Sequence, residues 1–182
     1  MVNIYKLWLT NLQQEILRLL FAKAGTLFNQ RQIAKSLEVS QPAVIKALPE
    51  LEKKEFIKIK QDKKSRRWSI ELNRDNYKVM QLKRIDNLRQ MYESGLVNFL
   101  EKEFAGATII LFGSYSRGED TNDSDLDIAI IGRKEKSIDL IKFEKMLERT
   151  IYLNFYSIFK DIHKHLKENI LNGIVLVGGV EL

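Results

Sequence analysis

The chain has 182 residues, 45% apolar and 30% charged, with a formal net charge of +6. That composition excludes a disordered polymer and suits one large domain or two small ones, since domains run about 50–250 residues. Cysteine is absent, which excludes disulfides, thiol catalysis and Cys-based zinc fingers.

Charge is uneven along the chain. Residues 1–80 hold 16 Lys and Arg against 8 Asp and Glu, whereas residues 81–182 hold 14 against 16. A basic front joined to a slightly acidic back predicts two domains with different partners. No apolar run approaches the roughly 20 residues of a membrane helix. The opening stretch MVNIYKLWLTNLQQEIL lacks a signal-peptide shape. No membrane partner is expected, and the cytoplasm is the expected compartment.

Leu12, Ile16, Leu19 and Leu20 recur at helical spacing and predict a first helix over about 10–24, ending near Gly25. Asn29 and Gln32 form a capping-box pattern for a second helix, with Ile33, Ala34 and Leu37 inward. Ser40 caps a third, in which Pro42 is tolerated in the first turn and Ala43, Val44, Ala47, Leu48 and Leu51 line the buried side. Pro49 is expected to kink or shorten that helix. Period-2 alternation through Ile57 and Ile59, then Trp68, Ile70 and Leu72, flanks a polar stretch and predicts a β-hairpin with a basic tip.

From about Asp75 to Phe104 the pattern reads as one long helix carrying Ile85, Leu88, Tyr92, Leu96 and Phe99 on one stripe. Strands are predicted at Thr108–Phe112, Leu126–Ile131, Thr150–Tyr156 and Gly173–Val177, and helices at Ser137–Glu148 and Phe159–Leu171. The whole chain reads as α+β. The expected division is a winged helix-turn-helix over 1–78, a connecting helix over 79–104 and a mixed α/β domain over 105–182.

Three helices and a basic hairpin is the winged-helix order, and the run LEVSQPAVIKALPELEKKEFIKI resembles the recognition helix and wing entry of bacterial and archaeal winged-helix transcription regulators. Glu55 stands where those regulators usually have glycine, so a different turn is expected there. The resemblance implies duplex DNA as partner. Ser40, Gln41 and Lys46 at a helix start suit a major groove, where Gln pairs with adenine and hydroxyls hold phosphate. Lys58, Lys60, Lys63, Lys64, Arg66 and Arg67 would set the wing against the phosphate backbone or a minor groove. The competing reading is a winged helix used for protein contacts or a homodimer.

The strongest motif is IILFGSYSRGEDTNDSDLDIAIIG, residues 109–132. Gly113 allows close approach of backbone to a triphosphate, and Ser114 can donate to a terminal phosphate. Asp125 and Asp127, two apart on a predicted strand, would share a face about 7 Å apart. At an effective dielectric near 20 they repel by roughly 2 kcal/mol, which a bound Mg²⁺ reverses. Arg117 fits either a phosphate contact or a structural role at a helix end. His163 and His165, two apart on a predicted helix, make a poor metal pair.

This segment resembles the nucleotidyltransferase superfamily that includes polymerase β, especially its minimal members. The resemblance implies transfer of a nucleoside monophosphate from an NTP, with Mg²⁺ or Mn²⁺, to a protein, nucleic-acid or small-molecule hydroxyl. It also implies a toxin-like protein acceptor as one partner, because minimal members resemble antitoxins that modify a partner toxin. The family uses a third carboxylate on a later strand, and Asn154 stands where that acid is expected. An amide is no base at neutral pH. Asn154 therefore favours the alternative, a DNA-binding regulator whose second domain senses nucleotide or docks a partner without turnover.

Overall fold

The computed structural model describes residues 9–61 and 68–180, and the chain divides into two compact units, 1–79 and 80–182. The first unit contains α1 (Asn11–Ala22), α2 (Gln30–Ser36), α3 (Gln41–Lys53), β1 (Ile57–Gln61) and β2 (Trp68–Leu72). Each helix starts at a residue that suits the start. Thr10 and Gln13 form a reciprocal capping box, Asn29 and Gln32 form another, and the Ser40 hydroxyl accepts from the Ala43 amide. Such caps satisfy amides that lack a helical partner, at about 1 kcal/mol each.

The helices then bury one stripe apiece. Ile16, Leu20, Ile33, Val44, Leu51 and Ile70 are all fully buried, each contributing about 1.5–3 kcal/mol. Inside this core the Gln13 side-chain amide donates to the Ala47 carbonyl at 3.2 Å, tying α1 to α3. The strands pair antiparallel from Ile57 opposite Leu72 to Gln61 opposite Trp68, and Phe28 adds a bridge to Ile70.

Two expectations about this unit change. Helix α3 runs through Pro49 to Lys53, because the residue lies on the exposed side and the turns around it are held by buried Ala47, Leu48 and Leu51. Glu55 takes the left-handed conformation, φ 56°, that a glycine would supply. Its carbonyl accepts from the side-chain amides of Asn73 and Asn76 at 2.8 and 3.1 Å, which stabilises the turn from outside.

Helix α4 (Tyr77–Glu93) starts in the last residues of the first unit. The second unit continues with α5 (Leu96–Glu103), β3 (Thr108–Phe112), α6 (Gly113–Arg117), β4 (Leu126–Ile131), α7 (Ile141–Leu147), β5 (Ile151–Tyr156), a 3-10 turn at Phe159–Asp161, α8 (Lys164–Leu171) and β6 (Ile174–Val177). The single long helix expected over 75–104 is broken at Gly95, whose φ of 79° no continuing helix tolerates. The helix expected from Ser137 begins only at Ile141, where the Asp139 carboxylate accepts from its amide. The helix expected from Phe159 divides into the 3-10 turn and α8.

The sheet has the order β5-β4-β3-β6, with β4 and β5 parallel and the other pairs antiparallel. Alternation gives it two faces. One carries Ile109, Leu111, Ile128 and Ile130 in a core with Leu100, Phe143 and Leu147. The other carries Ile110, Phe112, Ala129 and Ile131, packed with Phe159, Ile162 and Ile170. Asp127 shares this second face, opposite Phe112.

Candidate functional site

The Gly-Ser motif forms the corner between β3 and α6. Gly113 has φ 75°, and a methyl group on its Cα would lie 2.6 Å from Oδ2 of Asp127. Only glycine lets the corner and the carboxylate approach this closely. The Ser114 hydroxyl has no hydrogen-bond partner among the described residues and is half-buried. Ser116 donates to the Gly113 carbonyl at 2.8 Å and closes the turn from below.

Asp127 lies on β4, and Asp125 is the exposed residue just before that strand rather than a member of it. The two carboxylates interact: burial first, and then the charge of Asp125, raise the Asp127 carboxyl above its ordinary value. A raised Asp127 carboxyl with the Asp125 charge nearby, beside a glycine corner, suits a hard divalent cation, which prefers oxygen ligands. Among the described residues no cluster of three or more His, Asp or Glu exists for an all-protein metal cage. His163 and His165 are both exposed.

Arg117 is engaged locally, donating from Nε to Glu119 at 2.7 Å. Gly118 ends α6 at φ 75°, and a Cβ there would come within 2.7 and 2.8 Å of the Met80 carbonyl and the Arg84 amide nitrogen. Below it lies a buried polar cluster that no spacing pattern announced. Asp120 is enclosed by Lys83, by Asn87 at 2.7 Å and by Arg149 at 3.4 Å, and Asn87 also donates to the Tyr115 carbonyl at 2.9 Å.

Asn154 lies on the same sheet face as Asp127, but its register partner is Ala129. The residue directly opposite Asp127 is Tyr152, 52% exposed. Sequence reading passed over Tyr152, because only the pairing of β4 with β5 selects it from the alternating Tyr-x-Asn-x-Tyr run. A separate cleft lined by Thr108, Gly132, Ser157, Phe159, Lys160 and Gly179 opens at the other end of the sheet and contains none of the motif residues.

In the first unit, Ser40 caps α3, and Gln41 and Lys46 are exposed on one side with Pro42 and Ile45. Lys63, Lys64, Arg66 and Arg67 lie outside the described residues.

Residues 9–68 match the MarR family, and residues 93–177 match the nucleotidyltransferase domain family. The chain is a MarR-family winged helix joined to a nucleotidyltransferase domain. Among solved structures, MepR, a transcription regulator of a Staphylococcus aureus multidrug efflux pump, is 30% identical, with 52% of this chain and 68% of MepR covered at a TM-score of 0.40. The MepR–DNA complex aligns at 29% identity, 52% and 78% coverage and a TM-score of 0.38. The adhesin competence repressor of Streptococcus pyogenes aligns at 26%, 57% and 72%, with a TM-score of 0.42. No curated protein matches the chain. Among the described residues of this MarR–nucleotidyltransferase chain, no helix is long and apolar enough to cross a membrane.

Proposed function

We propose that the nucleotidyltransferase domain binds an NTP with Mg²⁺ or Mn²⁺ at Gly113, Ser114, Asp125 and Asp127 and transfers its nucleoside monophosphate to a hydroxyl group. The observation that carries this reading is the 2.6 Å approach of Asp127 Oδ2 to the missing Cβ of Gly113. It sets the Gly113–Ser114 corner against the Asp127 carboxylate, two residues from Asp125. The backbone at the corner and the Ser114 hydroxyl would hold the β- and γ-phosphates. The carboxylates would hold the cation, whose chemistry is to offset charge on the leaving pyrophosphate. Incubation with α-labelled NTPs and Mg²⁺, alone and with cell extract, tests it: transferred label supports it, and the absence of label in every arm sinks turnover.

A second reading is favoured by Asn154, a neutral amide where the family's third carboxylate is expected. In that reading the domain binds nucleotide as a sensor and does not turn over. Nucleotide-dependent thermal stabilisation without label transfer is its signature.

The winged helix is proposed to bind duplex DNA through the exposed side of α3, with Gln41 and Lys46 at base edges and phosphates, and through the basic residues Lys63, Lys64, Arg66 and Arg67. Replacing those four by alanine is expected to weaken binding on all sequences and to flatten the salt dependence by about 0.9 in log–log slope per lost phosphate contact. An unchanged slope would remove the hairpin from the interface.

A further inference from the structure

We propose that Tyr152 is itself an acceptor: the domain transfers a nucleoside monophosphate to the Tyr152 hydroxyl of the same chain. This rests on the nucleotidyltransferase reading above and names one hydroxyl within reach of that site.

The sheet order supplies the geometry. Asp127 on β4 has the β3 side, ending in Phe112 and the Gly113–Ser114 corner, as one neighbour and Tyr152 on β5 as the other. Strands lie about 4.8 Å apart, so the phosphate corner and the phenol flank Asp127 on opposite sides. Displacement at phosphorus requires the attacking and leaving oxygens to be roughly in line. A triphosphate anchored on the β3 side over Asp127 directs its leaving pyrophosphate toward Ser114 and its open side toward β5. Register pairs put both side chains on one face of the sheet. Tyr152 is 52% exposed, and its hydroxyl has no hydrogen-bond partner among the described residues. Tyr115, by contrast, is buried in the opposite core, and Tyr156 packs beside Phe159.

The chemistry of the site favours a phenol. With an amide at Asn154, an acceptor must give up its proton without a third carboxylate as base. A phenol ionises near pH 10, far more readily than an aliphatic hydroxyl. In the step, the Tyr152 oxygen forms a bond to the α-phosphorus. The bond from that phosphorus to the α,β-bridging oxygen breaks, its electron pair leaves with pyrophosphate, and the phenolic proton passes to solvent.

The test uses the purified full chain with each of the four α-labelled NTPs and Mg²⁺, read by intact mass and peptide mapping, alongside nucleotide-dependent melting of the wild type. The expected result is one nucleoside monophosphate per chain on Tyr152, at a rate constant independent of protein concentration. Tyr152→Phe should lose the label, as should Asp127→Ala. Label that maps elsewhere, or persists in Tyr152→Phe at the wild-type rate, overturns the proposal, as does a rate constant that rises with protein concentration. A nucleotide-stabilised but unlabelled wild type overturns it while leaving the nucleotide site standing. Neither stabilisation nor label overturns both.

Discussion

Lys83 and Asp120 are 37 residues apart in sequence and form an ion pair in which both side chains are fully buried. The pair joins α4 to the loop that follows the Gly-Ser helix, and Arg149 approaches the second Asp120 oxygen from the segment before β5. Taking each ion out of water costs several kcal/mol, offset only when geometry and hydrogen bonds are good. Asn87 provides part of that offset, donating both to Asp120 and to the Tyr115 carbonyl. The cluster thus fixes α6 from beneath. Lys83→Met is expected to cost about 3 kcal/mol, the lower end for breaking a buried pair, because Asp120 loses its lysine but keeps Arg149 as counter-charge. In Lys83→Met with Asp120→Leu the cost should fall at least about 1 kcal/mol short of the sum of the single costs. Denaturant unfolding measures this, and additive costs would mean the two do not interact.

Asp127 leads to a pH prediction. Its carboxyl is raised in the folded chain by burial and by Asp125. Between the ordinary carboxylate value and the raised one, the folded chain therefore holds a proton that the unfolded chain has released. Stability falls as pH rises through that window, and the ionised group weighs against the fold at neutral pH. Asp127→Asn should remove this slope and raise the neutral-pH stability slightly, by at most about 0.5 kcal/mol for a half-exposed site. It should also abolish nucleotide-dependent stabilisation. A variant less stable than wild type at pH 7 would contradict the electrostatic account.

The two glycines of the motif should fail differently. At Gly113 a methyl group meets a side chain, Oδ2 of Asp127, whereas at Gly118 it meets the α4 backbone at 2.7 and 2.8 Å. Both have positive φ, which costs about 1–2 kcal/mol in any L-residue. Gly118→Ala should therefore cost more than about 2 kcal/mol in folding, since α4 must move. Gly113→Ala should cost less in folding and more in function, because the carboxylate can rotate away and lose its place. Melting temperature measured with and without Mg²⁺ and NTP separates the two. Equal losses in both variants would sink the distinction.

Asn154 shares the Asp127 face, half-buried, two residues from Tyr152. Asn154→Asp adds a carboxylate at nearly constant volume. Transfer of label from an α-labelled NTP should accelerate by about 10²–10⁴-fold, the usual contribution of a positioned general base. A variant no faster than a robustly active wild type would show that Asn154 is not at the place of the missing acid.

Local chemistry was legible along the chain. The capping box at Asn29 and the strand alternation at Ile57 and Ile70 depend on residues within a few positions of each other, so their spacing alone specifies them. The same holds for the Gly-Ser corner, where a strand, a tight turn and a short helix follow one another within one segment. Helix ends were less legible. At Gly95 the backbone freedom of glycine overrides a continuous apolar stripe and breaks the helix, whereas at Pro49 the buried turns on either side override local propensity and α3 continues.

The partners across the fold came only from tertiary structure. Strand pairing decides that Tyr152, and not Asn154, faces Asp127, and a shift of one residue in that register would turn both away. Lys83, Asp120 and Arg149 look like solvated charges in sequence. Their burial depends on three segments meeting beneath Gly118, and a pairing energy that exists only once water is excluded leaves no periodic trace in the chain.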